Sequence, residues 1–463
     1  MNSDDGNVML AESPEVVDQL NAHFYGKFPF PWRPMKLDRL DDTQFQTRMF
    51  NQNLGDWAHQ TIPARAKIWV AGCGTNQAVI TALNFPDAQV IGSDLSKQSL
   101  ELGATTAREL GVNNLELRNE SINQVPYAEE FDYILCTGVI MINADPGETL
   151  GRLAAALKPT GIMELMVYNR YERLPTSAFQ KAIRVLGENS GTPQFDRDLA
   201  RAKKIVGDVK LKHFALHRGS VDEYPDCMLA DLLILPVENS YTVESFDDLA
   251  ASRGLEMLLP CCDMYDNPST TDSWNLSFSN PILRSEYDSL PDTRRWQVTN
   301  HLLFERSPQL WFYFQRQDSG RPRKDERQIC EEFLETRFQK TSTTQRSYIR
   351  QADGHYRLSP MLFPYPVSQP KDTVRAIANA VDGRRTMREI FEQHEIETSF
   401  RNVNQARMLL TTSACPHLAA VQNAGQYSFG DSAQVVDDEK KKELEKSNFT
   451  KFKTITSRKI SLS

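Results

Sequence analysis

The stretch "KIWVAGCGTN", residues 67–76, decides how this chain is read. Ile68, Trp69, Val70 and Ala71 run straight into Gly72-Cys73-Gly74. Four consecutive apolar residues suit a strand buried on both faces. Two glycines one residue apart mark a sharp turn or a close approach of backbone to another group. The amphipathic "NQAVITALNF" that follows reads as a helix, so the stretch opens a β-α unit.

Working outward, the same rhythm recurs through 67–170. "AQVIGSDL" reads as a second strand and "SKQSLELGATTAREL" as a second helix. "NLELRNESI", "FDYILCTGV" and "GIMELMVYN" read as further strands, with the helical "GETLGRLAAALK" between the last two. This alternation predicts an α/β fold with a doubly wound, mostly parallel sheet. Such a sheet binds ligands outside the carboxyl ends of its strands. Further on, "TVESFDDLAASRG" reads as a helix capped by Thr242 and closed by Gly254. "AIANAVDGRRTMREIFEQ" reads as helix, turn at Asp382-Gly383, then a helix capped by Thr386 with Glu389 three residues on.

The chain has 463 residues, a net charge of −8 and seven cysteines, none spaced as C-x-x-C. Its length suggests two or three domains. The cysteine pattern suits a reducing cytoplasm and offers no zinc framework. The charge argues against a dedicated nucleic-acid binder. No apolar run is long enough to span a bilayer. We therefore expect a cytoplasmic protein with no membrane partner; its oligomeric state is not legible. The expected divisions are 1–60, an N-terminal cap with the aromatic knot "FYGKFPFPWRP"; 61–262, the ligand-binding domain; 263–355, a connector or helical region containing "LLFERSPQLWFYFQR"; 356–428, a mainly helical accessory unit; and 429–463, a flexible basic tail.

A glycine turn after a first strand serves either a dinucleotide or a nucleoside ligand without a diphosphate. The third position of the dinucleotide fingerprint is Gln77, which disfavours the first. Asp94 ends the second strand, 22 residues after Gly72, where a carboxylate can accept from both ribose hydroxyls. Taken in order, "VAGCGTN", "GSDLSKQSL", "NESINQVPY", "FDYILCTGVIMI" and "LKPTGIMEL" resemble the class I S-adenosylmethionine-dependent methyltransferases. The resemblance covers about 67–170. It implies S-adenosyl-L-methionine as cofactor, held by Ala71, Gly72, Cys73, Gly74, Asp94, Leu95, Glu120, Ser121 and Thr137. It implies an acceptor pocket floored by Thr137–Ile142 and an N-terminal aromatic stretch that closes the cofactor site. Val70 stands where the family often has an acid. The 360–425 region is similar to small winged-helix units attached to protein-modifying enzymes.

The acceptor is expected to offer oxygen or nitrogen on a natural product, or on a protein or peptide. The base is not identified by sequence; Asp145, Glu148, Tyr168, Glu238 and Tyr241 are the candidates. Two other readings remain: a nicotinamide-dependent oxidoreductase on a similar sheet, and a non-catalytic protein that binds S-adenosylmethionine. His213 and His217 are spaced i, i+4 but lack companion ligands, so no metal site is expected.

Overall fold

The computed structural model describes residues 13–187, 194–209, 224–261, 274–304 and 309–421. The chain enters through α1 (Pro14–Lys27), β1 (Lys36–Leu40) and α2 (Phe45–Asn53). The apolar run at 67–71 then forms β2 (Lys67–Ala71), buried along almost its whole length. After it, α3 (Gln77–Asn84), β3 (Gln89–Asp94), α4 (Lys97–Glu109), β4 (Leu115–Asn119), β5 (Phe131–Thr137), α5 (Pro146–Ala156) and β6 (Leu157–Val167) follow in alternation. β2 pairs in parallel with β3 on one side and β5 on the other. The strand order reverses there, which opens a crevice outside the carboxyl ends of β2 and β5.

Beyond β6 come α6 (Arg170–Gly187), α7 (Phe195–Asp208), α8 (Asp226–Leu233), α9 (Val243–Ala251) and β7 (Leu255–Pro260). Thr242 and Ser245 form a reciprocal cap on α9, and Gly254 turns the chain out of it at φ +71°. Helices α1, α6, α7 and α8 share a core that includes Phe24, Phe28, Met141, Phe179, Phe195 and Leu229. They form a cap over the ends of β5 and β6.

The sheet is completed from an unexpected place. After α10 (Pro281–Ser289) and α11 (Asp292–Leu302), the aromatic "LWFYFQR" forms β8 (Leu310–Arg316). It inserts antiparallel between β6 and β7, giving the order β4-β3-β2-β5-β6-β8-β7. Sequence reading places this stretch in a connector because its flanks are rich in Arg, Asp and Ser. The bulk of Phe312, Tyr313 and Phe314, all buried, is instead the filling of the main core.

The rest is α12 (Glu326–Glu335), β9 (Phe338–Lys340), β10 (Thr343–Arg350), β11 (Tyr356–Tyr365), α13 (Asp372–Ala380), α14 (Met387–Gln393), α15 (Phe400–Thr411), β12 (Cys415–Pro416) and β13 (Leu418–Ala420). α12 to α15 enclose a second core around Phe333, Phe338, Ile377, Phe391 and Leu410. Thr386 and Glu389 cap α14 reciprocally, as their spacing predicts. β1 joins the β10–β11 hairpin as a third antiparallel strand. On α2, Gln52 Nε2 donates to the carbonyls of Thr411 (2.8 Å) and Leu418 (3.0 Å). The start of the chain is therefore woven into its C-terminal half. No described helix is long and apolar enough to cross a membrane. The His213/His217 pair and the lysine-rich tail lie outside the described residues.

Candidate active site

The site is built on the turn after β2. Gly72 and Gly74 adopt φ of +68° and +53°. A Cβ on Gly72 would lie 2.4 Å from Val139 Cγ2, and one on Gly74 2.4 Å from the Phe30 carbonyl oxygen. The glycines thus let two other segments close directly on this turn. Between them Cys73 is buried, and burial pushes its thiol well above the usual range. It fills space and is no nucleophile.

Asp94 ends β3 and faces the turn. Its Oδ2 accepts from the Gly74 N–H (2.8 Å) and its Oδ1 from the Ser96 N–H (2.7 Å). Burial pushes this carboxyl upward, against the backbone hydrogen bonds that favour its charge. Each oxygen retains a further lone pair for a ligand hydroxyl.

The N-terminal arm and α1 cover this crevice. The Thr75 N–H donates to the Phe30 carbonyl (3.2 Å), the Thr75 hydroxyl to that of Pro31, and Asn76 Nδ2 to that of Trp32 (2.8 Å). The Ser96 hydroxyl donates to the Tyr25 carbonyl (3.0 Å). Asp18 accepts from the Ser121 hydroxyl and from Asn123 Nδ2 (3.2 Å). Asn21 Nδ2 donates to the Ile142 carbonyl (2.9 Å). α1 therefore lies across the carboxyl ends of β3, β4 and β5.

The residues expected to hold a nucleoside fall around this crevice. Ala71 ends β2. The carbonyls of Asp94 and Leu95 accept from Asn119 Nδ2 at 2.9 and 3.0 Å. Glu120 accepts from the Tyr127 hydroxyl at 2.5 Å, while Ser121 is tied to Asp18. Thr137 donates to Gln77 Oε1 at 2.9 Å, so the residue replacing the third glycine is locked to the end of β5. Asp18 escapes sequence reasoning. Tyr25 and Phe30 lie in the aromatic knot expected to close the site, Asn119 in the motif "NESINQVPY", and Val139 in the 137–142 stretch expected to floor the pocket, but their individual contacts are not legible there.

The candidate bases separate cleanly. Asp145 is the N-cap of α5, accepting from the Glu148 N–H at 2.9 Å. Glu148 pairs with Arg152 at 3.4 Å on the exposed face of α5. Glu238 is buried and fully engaged: Arg173 Nε (3.0 Å), the Ser177 hydroxyl (3.0 Å) and Gln180 Nε2 (3.1 Å) all donate to it. Tyr241 forms a bridge with Asn169 beside the end of β6. Tyr168, directly after β6, has its ring 3.9 Å beneath the Arg173 guanidinium. Burial pushes both phenols up, so neither is a base at neutral pH. None of the five both faces the pocket and has proton-accepting capacity to spare.

The crevice fits an adenosyl sulfonium. Its two glycines bring backbone close, its acid ends β3 facing the turn, and Gln77, where a dinucleotide fingerprint has its third glycine, is bonded to Thr137. Two buried amide oxygens, Asn21 Oδ1 on α1 and Asn76 Oδ1 in the turn, have no partner. Buried acceptors without partners are uncommon, and a ligand ammonium would satisfy them.

Comparison with known proteins agrees. Residues 70–209 match a family model described as a methyltransferase domain. An uncharacterised protein of Synechococcus sp. is 26% identical over 299 residues, covering 62% of this chain and 70% of that protein. A ubiquinone biosynthesis O-methyltransferase of Bradyrhizobium sp. is 36% identical over 83 residues, 18% of this chain and 32% of that enzyme. The structure of PKMT2 from Rickettsia typhi in complex with AdoHcy superposes with a TM-score of 0.51 at 16% identity, covering 81% of this chain and 76% of that one. With the parallel sheet, the glycine turn and the acid at the end of β3, residues 70–209 form a methyltransferase domain that uses S-adenosylmethionine.

Proposed function

We propose that the enzyme methylates an amine nitrogen carried on a peptide or protein. The observation that carries this reading is a cluster of rings and a carboxylate under the helical cap: the Tyr25 hydroxyl bonds Asp231 at 2.9 Å, and Tyr168 lies within electrostatic reach of both. Arg173 already covers the Tyr168 ring, so the Tyr25 ring and the Asp231 carboxylate are what suit a further cation. Two features favour a large acceptor. Leu174, one turn beyond Tyr171 on α6, and Leu302, beside His301 on α11, are exposed, and Tyr171 and His301 are hydrogen-bonded at 2.6 Å. The fold shared with PKMT2 also extends well past the catalytic domain, so the C-terminal units belong to a common architecture.

In this reading Gly72 and Gly74 admit the methionine end of the cofactor, and Asn21 Oδ1 and Asn76 Oδ1 receive its ammonium in place of the acid missing at Val70. Asp94 holds the ribose, and the 119–121 loop flanks adenine. When bound, S-adenosylmethionine supplies an electrophilic methyl whose leaving group is a neutral thioether. The protein's contribution is alignment: α1 and the 28–34 arm exclude water, and Thr137–Ile142 set the floor against which the acceptor lies.

Asp94→Ala should weaken S-adenosylmethionine binding at least about tenfold, from two lost bonds to a charged acceptor. Calorimetry reads this, and unchanged affinity would remove Asp94 from the site. For the acceptor, labelled cofactor incubated with fractionated cell extract should place label in protein, in a form stable to mild base. Label confined to small molecules, or released by base as from an ester, would overturn the amine-on-protein reading.

A further inference from the structure

We propose that Asp231 of α8 is the catalytic base of this methyl transfer, and that Tyr25 of α1 aims it. The inference rests on the amine reading above, and the test separates the two.

Asp231 Oδ1 accepts from the Tyr25 hydroxyl at 2.9 Å. Its other oxygen has no partner among the described residues, in contrast with Glu238, whose oxygens are all engaged. Tyr25 links the two halves of the site. Its carbonyl is held by Ser96, two residues from Asp94, while its hydroxyl reaches Asp231. Tyr25 therefore spans from the segment that follows Asp94 to the Asp231 carboxylate, which lies within electrostatic reach of Tyr168 after β6. Tyr25 packs against the apolar core of the cap, which includes Phe24, Met141 and Leu229, and Asp231 is carried on α8, whose Leu229 belongs to that core.

The charged and titratable groups around Asp231 are Tyr25 on α1, Tyr168 after β6, Arg173 on α6, Glu238 after α8, and Cys227 on α8 itself. Burial pushes the Asp231 carboxyl up to about 6, against the pull of Arg173 and the Tyr25 hydrogen bond. It is ionised at neutral pH yet basic for a carboxylate, which suits a general base. Asp231 binds the acceptor ammonium through its open oxygen. The N–H bond breaks, its proton passes to that oxygen, and its electron pair stays on nitrogen. Nitrogen then forms the new bond to the methyl carbon as the carbon–sulfur pair returns to sulfur. The products are the methylated ammonium, the neutral thioether and a protonated Asp231, which returns its proton to water. Because the aiming hydroxyl lies on α1, the helix that covers the cofactor also completes the base.

The test compares full-length wild type, Asp231→Asn and Tyr25→Phe, with labelled S-adenosylmethionine and fractionated extract from pH 5 to 10. Wild-type rate should rise through about pH 6. Asp231→Asn should lose about a hundredfold at pH 7, lack that acidic limb, and partly recover at high pH as the amine sheds its own proton. Its cofactor affinity by calorimetry should be unchanged, which shows that the site is folded. Tyr25→Phe should move the limb to higher pH, since the lost hydrogen bond favoured the charged carboxylate. A wild-type rate and acidic limb in Asp231→Asn would overturn the assignment while leaving the amine reading intact. Label on oxygen would overturn the amine reading, and the same comparison on that product would still decide Asp231.

Discussion

Glu238→Ala is expected to destabilise the protein by about 3–5 kcal/mol, because it leaves Arg173 buried without its counter-ion. Both side chains are withdrawn from solvent, at 10% exposure for Arg173 and 0% for Glu238. Glu238 also accepts from Ser177 and Gln180, so its loss removes an acceptor from three side chains at once. A carboxylate with this many partners is an anchor. It ties α6 to the segment after α8 and holds Arg173 over the Tyr168 ring. Denaturant midpoints at constant slope measure the effect. A loss below about 1 kcal/mol, the range of exposed pairs, would show the pair to be solvated in solution. Glu238→Gln keeps the shape and most acceptors but removes the charge, so it should fall between the two.

The second large effect is at the glycine turn. Gly74→Ala should reduce turnover by about two orders of magnitude, the usual consequence of displacing a site by an ångström. The residue has φ +53° and its new methyl would meet the Phe30 carbonyl at 2.4 Å. The left-handed conformation alone costs about 1–2 kcal/mol for a residue with a side chain. The clash adds a displacement of the arm from Thr75 and Asn76. Gly111→Ala is the control: it has φ +65° with nothing within 4 Å of the added carbon. It should lose stability but keep cofactor affinity. Equal cofactor affinity and turnover in both variants would mean that the arm does not close on the turn.

Much of the catalytic domain is legible from local pattern. β2, β3, β5 and β6 each coincide with a run of apolar residues, because a strand buried on both faces leaves a hydrophobic signature, while β4, at the sheet edge, is half exposed and alternates. The caps at Thr242 and Thr386 are legible for the same local reason: residue and partner are three positions apart. β8 was not legible as part of this sheet. Whether an aromatic run pairs with β6 or founds another core depends on partners about 150 residues away, and the run itself carries no record of them.

The candidate bases show the limit more sharply. Asp145, Glu148, Tyr168, Glu238 and Tyr241 all lie in the half of the domain after β5, as does Asp231, which sequence does not single out. What distinguishes them is what each oxygen touches. Asp145 caps a helix, Glu238 holds an arginine, and Asp231 meets a tyrosine from 206 residues earlier.

By itself, then, the sequence determined the nature of the crevice: a buried strand, two glycines and an acid at the next strand end, all set by contacts within about 25 residues. Only the tertiary structure decided what covers that crevice and which carboxylate has an oxygen to spare. Those properties are made by α1, the 28–34 arm, α6 and α8 meeting over the sheet. Burial and hydrogen-bond partnership are relations between distant segments, and no window of sequence contains both sides of them.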